Sequence, residues 1–164
     1  MLRRAAKSLD GLLLANLNSR IAQTEPVMSS ITERAHAFFV ACELGNGREA
    51  CADYCTPEAT FSAQAGPLRE IKTLREYGDW MAGLLTVLTD GQYDLKSFAT
   101  DHERNNVTAY AVFNGTHLAG GPCPPTGKTA HTDYVYVMQF EGAKIVHMTK
   151  IWNADDAFRQ LGWA

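Results

Sequence analysis

The sequence lacks the features that mark membrane-spanning and nucleic-acid-binding proteins. Its longest early apolar run, Leu12 to Ala15, is far shorter than the roughly 20 residues that a membrane span needs. It also has no basic stripe, and its net charge of −3 and isoelectric point near 5.9 disfavour a nucleic-acid surface. We therefore expect no membrane and no nucleic acid as partners, and a cytoplasmic location.

Cysteine is scarce and forms no CxxC pair among Cys42, Cys51, Cys55 and Cys123. Cys51 and Cys55 are four residues apart, so on one helix they would share a face and offer half of a metal site. The alternative is that these cysteines are buried thiols in a reducing compartment. We favour the second interpretation and predict no metal.

Residues 1–27 differ in charge from the rest of the chain, with four basic and two acidic side chains. Helical spacing of apolar residues predicts an amphipathic helix from Leu2, Leu9, Leu12, Leu13, Leu17 and Ile21. The segment lacks the long apolar core of a secretory signal, and a transit peptide stays an alternative. We interpret it as a basic N-terminal extension, with Met28 as an alternative start, followed by one domain over 28–164.

The order of predicted elements indicates an α+β fold. Ser30-Ile31-Thr32-Glu33 is a capping-box pattern, and apolar spacing predicts helices after it and over 48–54, 71–88 and 154–161. A period of two predicts strands over 93–100, 107–117, 130–141 and 144–152, with a shorter one over 59–63. We expect about three N-terminal helices packed on a strongly curved antiparallel sheet around one apolar pocket.

Counting residues across the long loop predicts which side chains share a face of the sheet. If the loop joins two paired strands, His117 lies opposite Thr129 and Asp133 lies opposite Phe113. One face then combines small apolar and titratable residues, which suits a cavity: Val107, Ala109, Ala111, Phe113, His117, His131, Asp133, Val135 and Val137, with Val146, Met148, Lys150 and Trp152. The other face carries Tyr110, Tyr134, Tyr136, Met138 and Phe140, with Ile145, His147 and Ile151.

Asp133 is the strongest catalytic candidate on this register. A carboxylate in an apolar pocket has a raised pKa and can exchange protons with a bound carbonyl compound. The alternative is a cross-strand ion pair with Lys150. His117 would polarise or orient the substrate, or else is a half-exposed histidine without a function. The predicted pocket wall, whose members are also ordinary core residues, is Tyr54, Phe61, Trp80, Phe113, Met148 and Trp152.

Several short motifs carry a resemblance to a known family: Tyr54-Cys55-Thr56-Pro57-Glu58-Ala59, Gly115-Thr116-His117, Pro124-Pro125-Thr126-Gly127-Lys128 and Lys144-Ile145-Val146. In this order they make residues 31–162 resemble the SnoaL-like polyketide cyclases of the nuclear transport factor 2-like superfamily, which also contains the ketosteroid isomerases. The resemblance implies a cone of helices on a curved sheet, a homodimer, and chemistry without a cofactor.

In the cyclases that this chain resembles, an aspartate assisted by a histidine moves protons during an intramolecular aldol closure. His117 matches that histidine. The place of the aspartate falls on Val135 or Tyr136, and Asp133 lies two or three residues earlier. Asp133 would therefore have to replace the family acid from the same face of the sheet.

The leading hypothesis is a cofactor-independent cyclase or isomerase that acts on a hydrophobic, polyketide- or steroid-like carbonyl compound. The first alternative is a protein that binds an apolar small molecule without catalysis. The second alternative is an interaction module that dimerises through the tyrosine-rich face of the sheet. A hydrophobic small molecule and a second copy of the chain are the expected partners.

Overall fold

The computed structural model of this protein describes residues 30–164. The predicted basic extension of residues 1–27 and the alternative start at Met28 lie outside the described residues. Within the described part of the chain, no helix is both long and apolar enough to cross a membrane.

Each of the three α-helices begins at a capping side chain that the sequence supplies. They are α1 (Ile31–Glu43), α2 (Leu74–Val87) and α3 (Ala154–Leu161), with short 3₁₀ helices over Gly47–Cys51 and Gly66–Leu68. The capping box of Ser30 and Glu33 opens α1, as predicted. A second capping box, formed by Thr73 and Glu76, opens α2 three residues later than its apolar spacing predicts. Gly162 ends α3 in the left-handed conformation, with φ of 73°.

Five strands form one mixed sheet in the order β1-β5-β4-β3-β2. They are β1 (Cys55–Ala63), β2 (Gln92–Asp101), β3 (Asn106–Thr116), β4 (Thr129–Glu141) and β5 (Lys144–Trp152). β1 pairs in parallel with β5, whereas the other three pairs are antiparallel as expected. α1 contacts β2, β3 and β5, α2 contacts β1, and α3 contacts β4. The α+β prediction is therefore confirmed, with one parallel pair added to it.

The β3–β4 register differs by one residue from the predicted one. Thr116, not His117, lies opposite Thr129, and Val112, not Phe113, lies opposite Asp133. The hairpin closes one residue earlier because the His117 N–H donates to the carbonyl of Lys128 at 2.9 Å. A one-residue shift moves every side chain of a strand to the other face of the sheet.

This shift exchanges the two predicted faces of β4. The side chains facing the helices are Ala130, Thr132, Tyr134, Tyr136, Met138 and Phe140, and all of them are buried. The tyrosine-rich surface predicted for dimerisation is therefore wrong, because Tyr134 and Tyr136 belong to the core. The predicted pairing of Asp133 with Lys150 is also wrong, because Lys150 lies opposite Tyr136 on the inner face.

Two glycines of α2, Gly78 and Gly83, lie in very different surroundings. A Cβ on Gly78 would lie 2.5 Å from the carbonyl oxygen of Gly47, whereas a Cβ on Gly83 would meet nothing within 4 Å. We expect Gly78→Ala to destabilise the fold by about 1–3 kcal/mol through overpacking. Gly83→Ala should stabilise it by about 0.5–1 kcal/mol through helix propensity. Urea unfolding of both variants measures the change in the free energy of unfolding. Changes of the same sign in the two variants would contradict the packing described for Gly78 and Gly83.

Candidate functional site

A buried amine lies at the centre of the interior between α1, α2 and the sheet. Lys150 of β5 is only 6% exposed. Its Nζ lies 5.0–5.5 Å from the ring centroids of Tyr77, Trp80, Tyr134, Tyr136 and Trp152. We call these five residues the aromatic cage. The negative ring faces of such a cage stabilise a positive charge that has lost its water.

A chain of hydrogen bonds connects this amine to a buried carboxyl group. Lys150 Nζ donates to the hydroxyl of Tyr77 at 3.0 Å. The Tyr77 hydroxyl bonds to that of Tyr136, which donates to the carboxylate of Glu43 in the last turn of α1. An ammonium only donates, an ionised carboxylate only accepts, and each phenol has one hydrogen. All hydrogens of this Lys150–Tyr77–Tyr136–Glu43 relay therefore point from the amine towards the carboxylate.

Burial shifts the pKa values of the two end groups towards one another. Loss of solvent lowers the pKa of Lys150 to about 8, and the negative charge of Glu43 opposes this shift. Loss of solvent raises the pKa of Glu43, and this shift is opposed by the charge of Lys150, the hydrogen bond from Tyr136 and the nearby Tyr134 hydroxyl. The neutral amine and the neutral acid are consequently closer in free energy to the ion pair than they would be in water.

The relay borders a small inner cavity of about 20 Å³, which is room for about one water molecule. Its lining includes Glu43, Trp80, Leu84, Phe113, Thr132, Tyr134, Lys150 and Trp152. Among residues 30–164, the Tyr134 hydroxyl is the one buried side-chain nitrogen or oxygen without a hydrogen-bond partner. The hydroxyl lies near the Glu43 carboxyl, whose pKa it lowers, but completes no hydrogen bond with it, so this phenol is free to donate to a ligand.

An apolar outer groove of about 410 Å³ lies next to the inner cavity. It is lined by Pro67, Trp80, Gly83, Leu84, Val87, Pro122, Phe158 and Trp163. Trp80 and Leu84 line both spaces, so these two side chains separate the groove from the cavity. A more polar edge cleft of about 430 Å³ lies where β1 ends and β5 continues, and Lys150 and Trp152 contribute to its wall.

Asp133 does not lie in this interior. It is exposed on the outer face of the sheet, where it accepts a hydrogen bond of 2.7 Å from the Tyr110 hydroxyl. It borders a separate outer depression with Val135 and Ile151. The placement on which its catalytic role was predicted is therefore wrong, and the cause is the one-residue register shift.

His117 is fully buried, but both of its ring nitrogens are bonded within the protein. The indole N–H of Trp163 donates to Nδ1 at 3.0 Å. Since an indole can only donate, Nδ1 is an acceptor, and the ring proton is assigned to Nε2, which donates to the Gly120 carbonyl at 2.6 Å. His117 thus joins the loop after β3 to the C-terminal segment instead of facing the inner cavity.

Three of the six predicted wall residues, Trp80, Phe113 and Trp152, line the inner cavity. Phe61 lies one layer behind it, stacked on Tyr77 with ring centroids 4.4 Å apart. The structure therefore brings Trp80, Phe113 and Trp152 together around one cavity, and their contact with a ligand stays a prediction.

The other two predicted wall residues lie elsewhere. Met148 is fully buried and pairs with Met138 across the β4–β5 ladder. Tyr54 packs under the guanidinium of Arg34, which lies 5.7 Å from its ring centroid. Neither residue lines the inner cavity.

Glu43 is a site residue that the sequence patterns above do not single out, although the sequence carries a signal for it. Glu43 follows Phe39 by four residues, and Phe39 belongs to the apolar stripe of α1. A carboxylate at that spacing lies on the buried face of the helix. Tyr134 and Tyr136 were missed because the predicted register placed them on the opposite face.

The cysteines show no metal-binding arrangement. Cys51 ends a 3₁₀ helix and Cys55 begins β1, so the two do not share a helix face. Both are buried free thiols, as is Cys42. Within residues 30–164, no group of three His, Cys, Asp or Glu side chains is placed to hold a metal ion.

The sequence matches the family described as the SnoaL-like domain over residues 35–148. The chain therefore belongs to this family, as its short motifs predict. Comparison with curated protein sequences finds no match.

Solved structures of low sequence identity share the fold. A protein named as a SnoaL-like polyketide cyclase, from Jannaschia sp. CCS1, has a TM-score of 0.69 at 12% identity, covering 85% of this chain and 96% of its own. IdmH, named as a polyketide cyclase, from Streptomyces antibioticus, has a TM-score of 0.65 at 18% identity, with coverages of 82% and 99%. A protein with a ketosteroid isomerase-like fold from Catenulispora acidiphila DSM 44928, in complex with trimethylamine, has a TM-score of 0.60 at 15% identity, with coverages of 79% and 92%.

The electrostatics of the relay can be measured through the lysines. We expect the pKa of Lys150 to be about 8, against about 10.4 for exposed lysines. Glu43→Gln should lower the pKa of Lys150 further, because it removes a nearby negative charge that favours the ammonium. Asp133→Asn, on the outer face, should leave it unchanged. NMR titration of ¹³C-labelled lysine side chains measures all three, and a Lys150 that titrates with the other lysines would contradict the buried relay.

Proposed function

We propose that this protein is a cofactor-independent cyclase or isomerase that transfers protons on a hydrophobic carbonyl compound, polyketide- or steroid-like. The observation that carries the proposal is the buried carboxyl of Glu43 beside an unpartnered phenol in an apolar cavity. Both cyclisation by aldol closure and double-bond isomerisation begin with loss of a proton from the carbon next to a carbonyl. The reaction needs a base for that proton and a donor for the oxygen.

Glu43 is the proposed base. Its pKa is raised by burial, and a base is most effective when its pKa approaches the working pH. Tyr134 is the proposed donor to the carbonyl oxygen, because it lines the same cavity and its hydroxyl, although close to the Glu43 carboxylate, completes no hydrogen bond in the described chain. The ammonium of Lys150 would stabilise the negative charge that develops as the proton leaves.

The proposal requires movement at the boundary between the groove and the inner cavity. The cavity, at about 20 Å³, holds no more than a small group. The outer groove, at about 410 Å³, is in the size range of ligand pockets. We infer that the apolar body of the substrate occupies the groove and that Trp80 and Leu84 move aside to admit the carbonyl end.

The outer groove also supports a second candidate, a protein that binds an apolar small molecule without catalysis. A ligand confined to the groove would contact Trp80, Phe158 and Trp163 and would not reach Glu43. Dimerisation and the cytoplasmic location stay predictions. The interaction-module hypothesis was motivated by a tyrosine-rich surface, but Tyr134 and Tyr136 of that surface are buried in the core.

Exchange of α-hydrogens tests the proposal without knowledge of the natural product. The probe is 2-tetralone, an apolar ketone, in D₂O, with deuterium uptake followed by NMR. We expect the protein to accelerate the uptake. Glu43→Gln should reduce this acceleration by about 100-fold or more, since loss of a general base has effects of roughly 10²–10⁴. Glutamine keeps the shape of the side chain and an oxygen that can accept from Tyr136.

Asp133→Asn is the matched control, because it makes the same chemical change on the outer face of the sheet. It should leave the rate of deuterium uptake as it is in the parent protein. Retained activity in Glu43→Gln, or lost activity in Asp133→Asn, would refute the assignment of the base. Binding of 2-tetralone without any accelerated exchange would favour the second candidate.

A further inference from the structure

We propose that Lys150 is a nucleophile that binds carbonyl compounds covalently, through an imine between its Nζ and the carbonyl carbon. This inference rests on the proposed function for the class of substrate, a hydrophobic aldehyde or ketone, and adds a covalent bond to it. It arises from two features that go beyond the electrostatic role of Lys150 in proton abstraction by Glu43. These are an amine in the wall of the cavity and a hydrogen-bonded path that can remove a proton from it.

The amine is placed where a carbonyl carbon could reach it. Lys150 lines the inner cavity together with Glu43 and Tyr134. Within residues 30–164, no carboxylate forms a direct ion pair with it. Its side-chain hydrogen bond goes to Tyr77. The amine is therefore held in place by a neutral partner instead of being locked against an anion.

The relay provides the deprotonation that a nucleophilic amine requires. When each hydrogen moves one step along the relay, the ammonium becomes a neutral amine and the Glu43 carboxylate becomes an acid. No proton leaves the interior. Burial supports this shift, since it lowers the pKa of Lys150 to about 8 and raises that of Glu43. Burial also raises the pKa of the neighbouring Cys42 thiol. This thiol therefore stays neutral and adds no negative charge next to Lys150.

The reaction balances with the groups that line the cavity. The lone pair of Nζ forms a bond to the carbonyl carbon, and the carbonyl oxygen takes a proton, giving a carbinolamine. The C–O bond then breaks, the oxygen leaves as water with a second proton, and the nitrogen retains the carbon in an iminium ion. The two protons in that water are the two that the ammonium of Lys150 gives up. Glu43 holds one of them in between, and the Tyr134 hydroxyl is placed to donate to the oxygen.

The test is reductive trapping of the full-length protein with benzaldehyde and sodium cyanoborohydride near neutral pH. Reduction turns an imine into a stable benzyl amine, which proteolysis and mass spectrometry assign to a residue. We expect Lys150 to be modified at least about tenfold faster than Lys72 or Lys96, which are exposed and lie outside the inner cavity. In urea this preference should vanish, because it depends on the folded cavity.

Lys150→Arg keeps the positive charge and a donor for Tyr77, but its guanidinium forms no imine, so the fast adduct should be lost. Lys144→Arg, on the same strand, is the matched control and should retain it. Adducts on the exposed lysines with none on Lys150, or equal rates at all of them, would overturn the proposal. Trapping detects a covalent bond to Nζ and does not measure turnover. If trapping at Lys150 fails, the deuterium-exchange result for Glu43 is unaffected. If deuterium exchange fails, an adduct on Lys150 still supports the imine.

Discussion

A charged amine can be buried only if other groups replace the water it loses, because the desolvation penalty for an ion is several kcal/mol. In this protein three kinds of group replace the water that Lys150 loses: aromatic rings, a phenol hydroxyl and a carboxylate. The rings of the aromatic cage surround Lys150 Nζ, Tyr77 accepts its hydrogen bond, and the negative charge of Glu43 is reached through Tyr136. The chain thereby links β5, α2, β4 and α1 around one ion, and a substitution at any member leaves another polar group unpaired.

The sequence predicts the helices and strands of this fold because their signals are local. The capping box at Ser30 and the period of two from residue 93 onwards need no knowledge of distant contacts. The register between β3 and β4 is different, since it depends on where the twelve-residue loop between them, from His117 to Lys128, closes. In the structure the His117 N–H bonds to the carbonyl of Lys128, whereas the predicted register pairs His117 with Thr129. This difference of one residue decides which face of the sheet every side chain of β4 occupies.

The same distinction explains which site residues were predictable. Trp80, Phe113 and Trp152 could be found because each lies on a helix or strand whose inward face was assigned correctly. Tyr134 and Tyr136 could not, because their strand was assigned to the wrong face. Their hydroxyls illustrate a general ambiguity: alternating tyrosines suit a half-exposed strand as well as a core, and only the partner of each hydroxyl separates the two.

The family resemblance gains a physical meaning from this arrangement. In the cyclases that this chain resembles, the catalytic aspartate would fall on Val135 or Tyr136, and of these two Tyr136 is the buried one. The Tyr136 phenol donates a hydrogen bond to Glu43, so a carboxylate still contacts this position. That carboxylate belongs to α1 and not to the sheet. A carboxylate on α1 lies across the interior from β5, which leaves space between them for an amine. Under the proposed function, moving the acid to the helix is what makes a buried lysine compatible with the same cavity, because the two charges can exchange a proton through tyrosines without meeting.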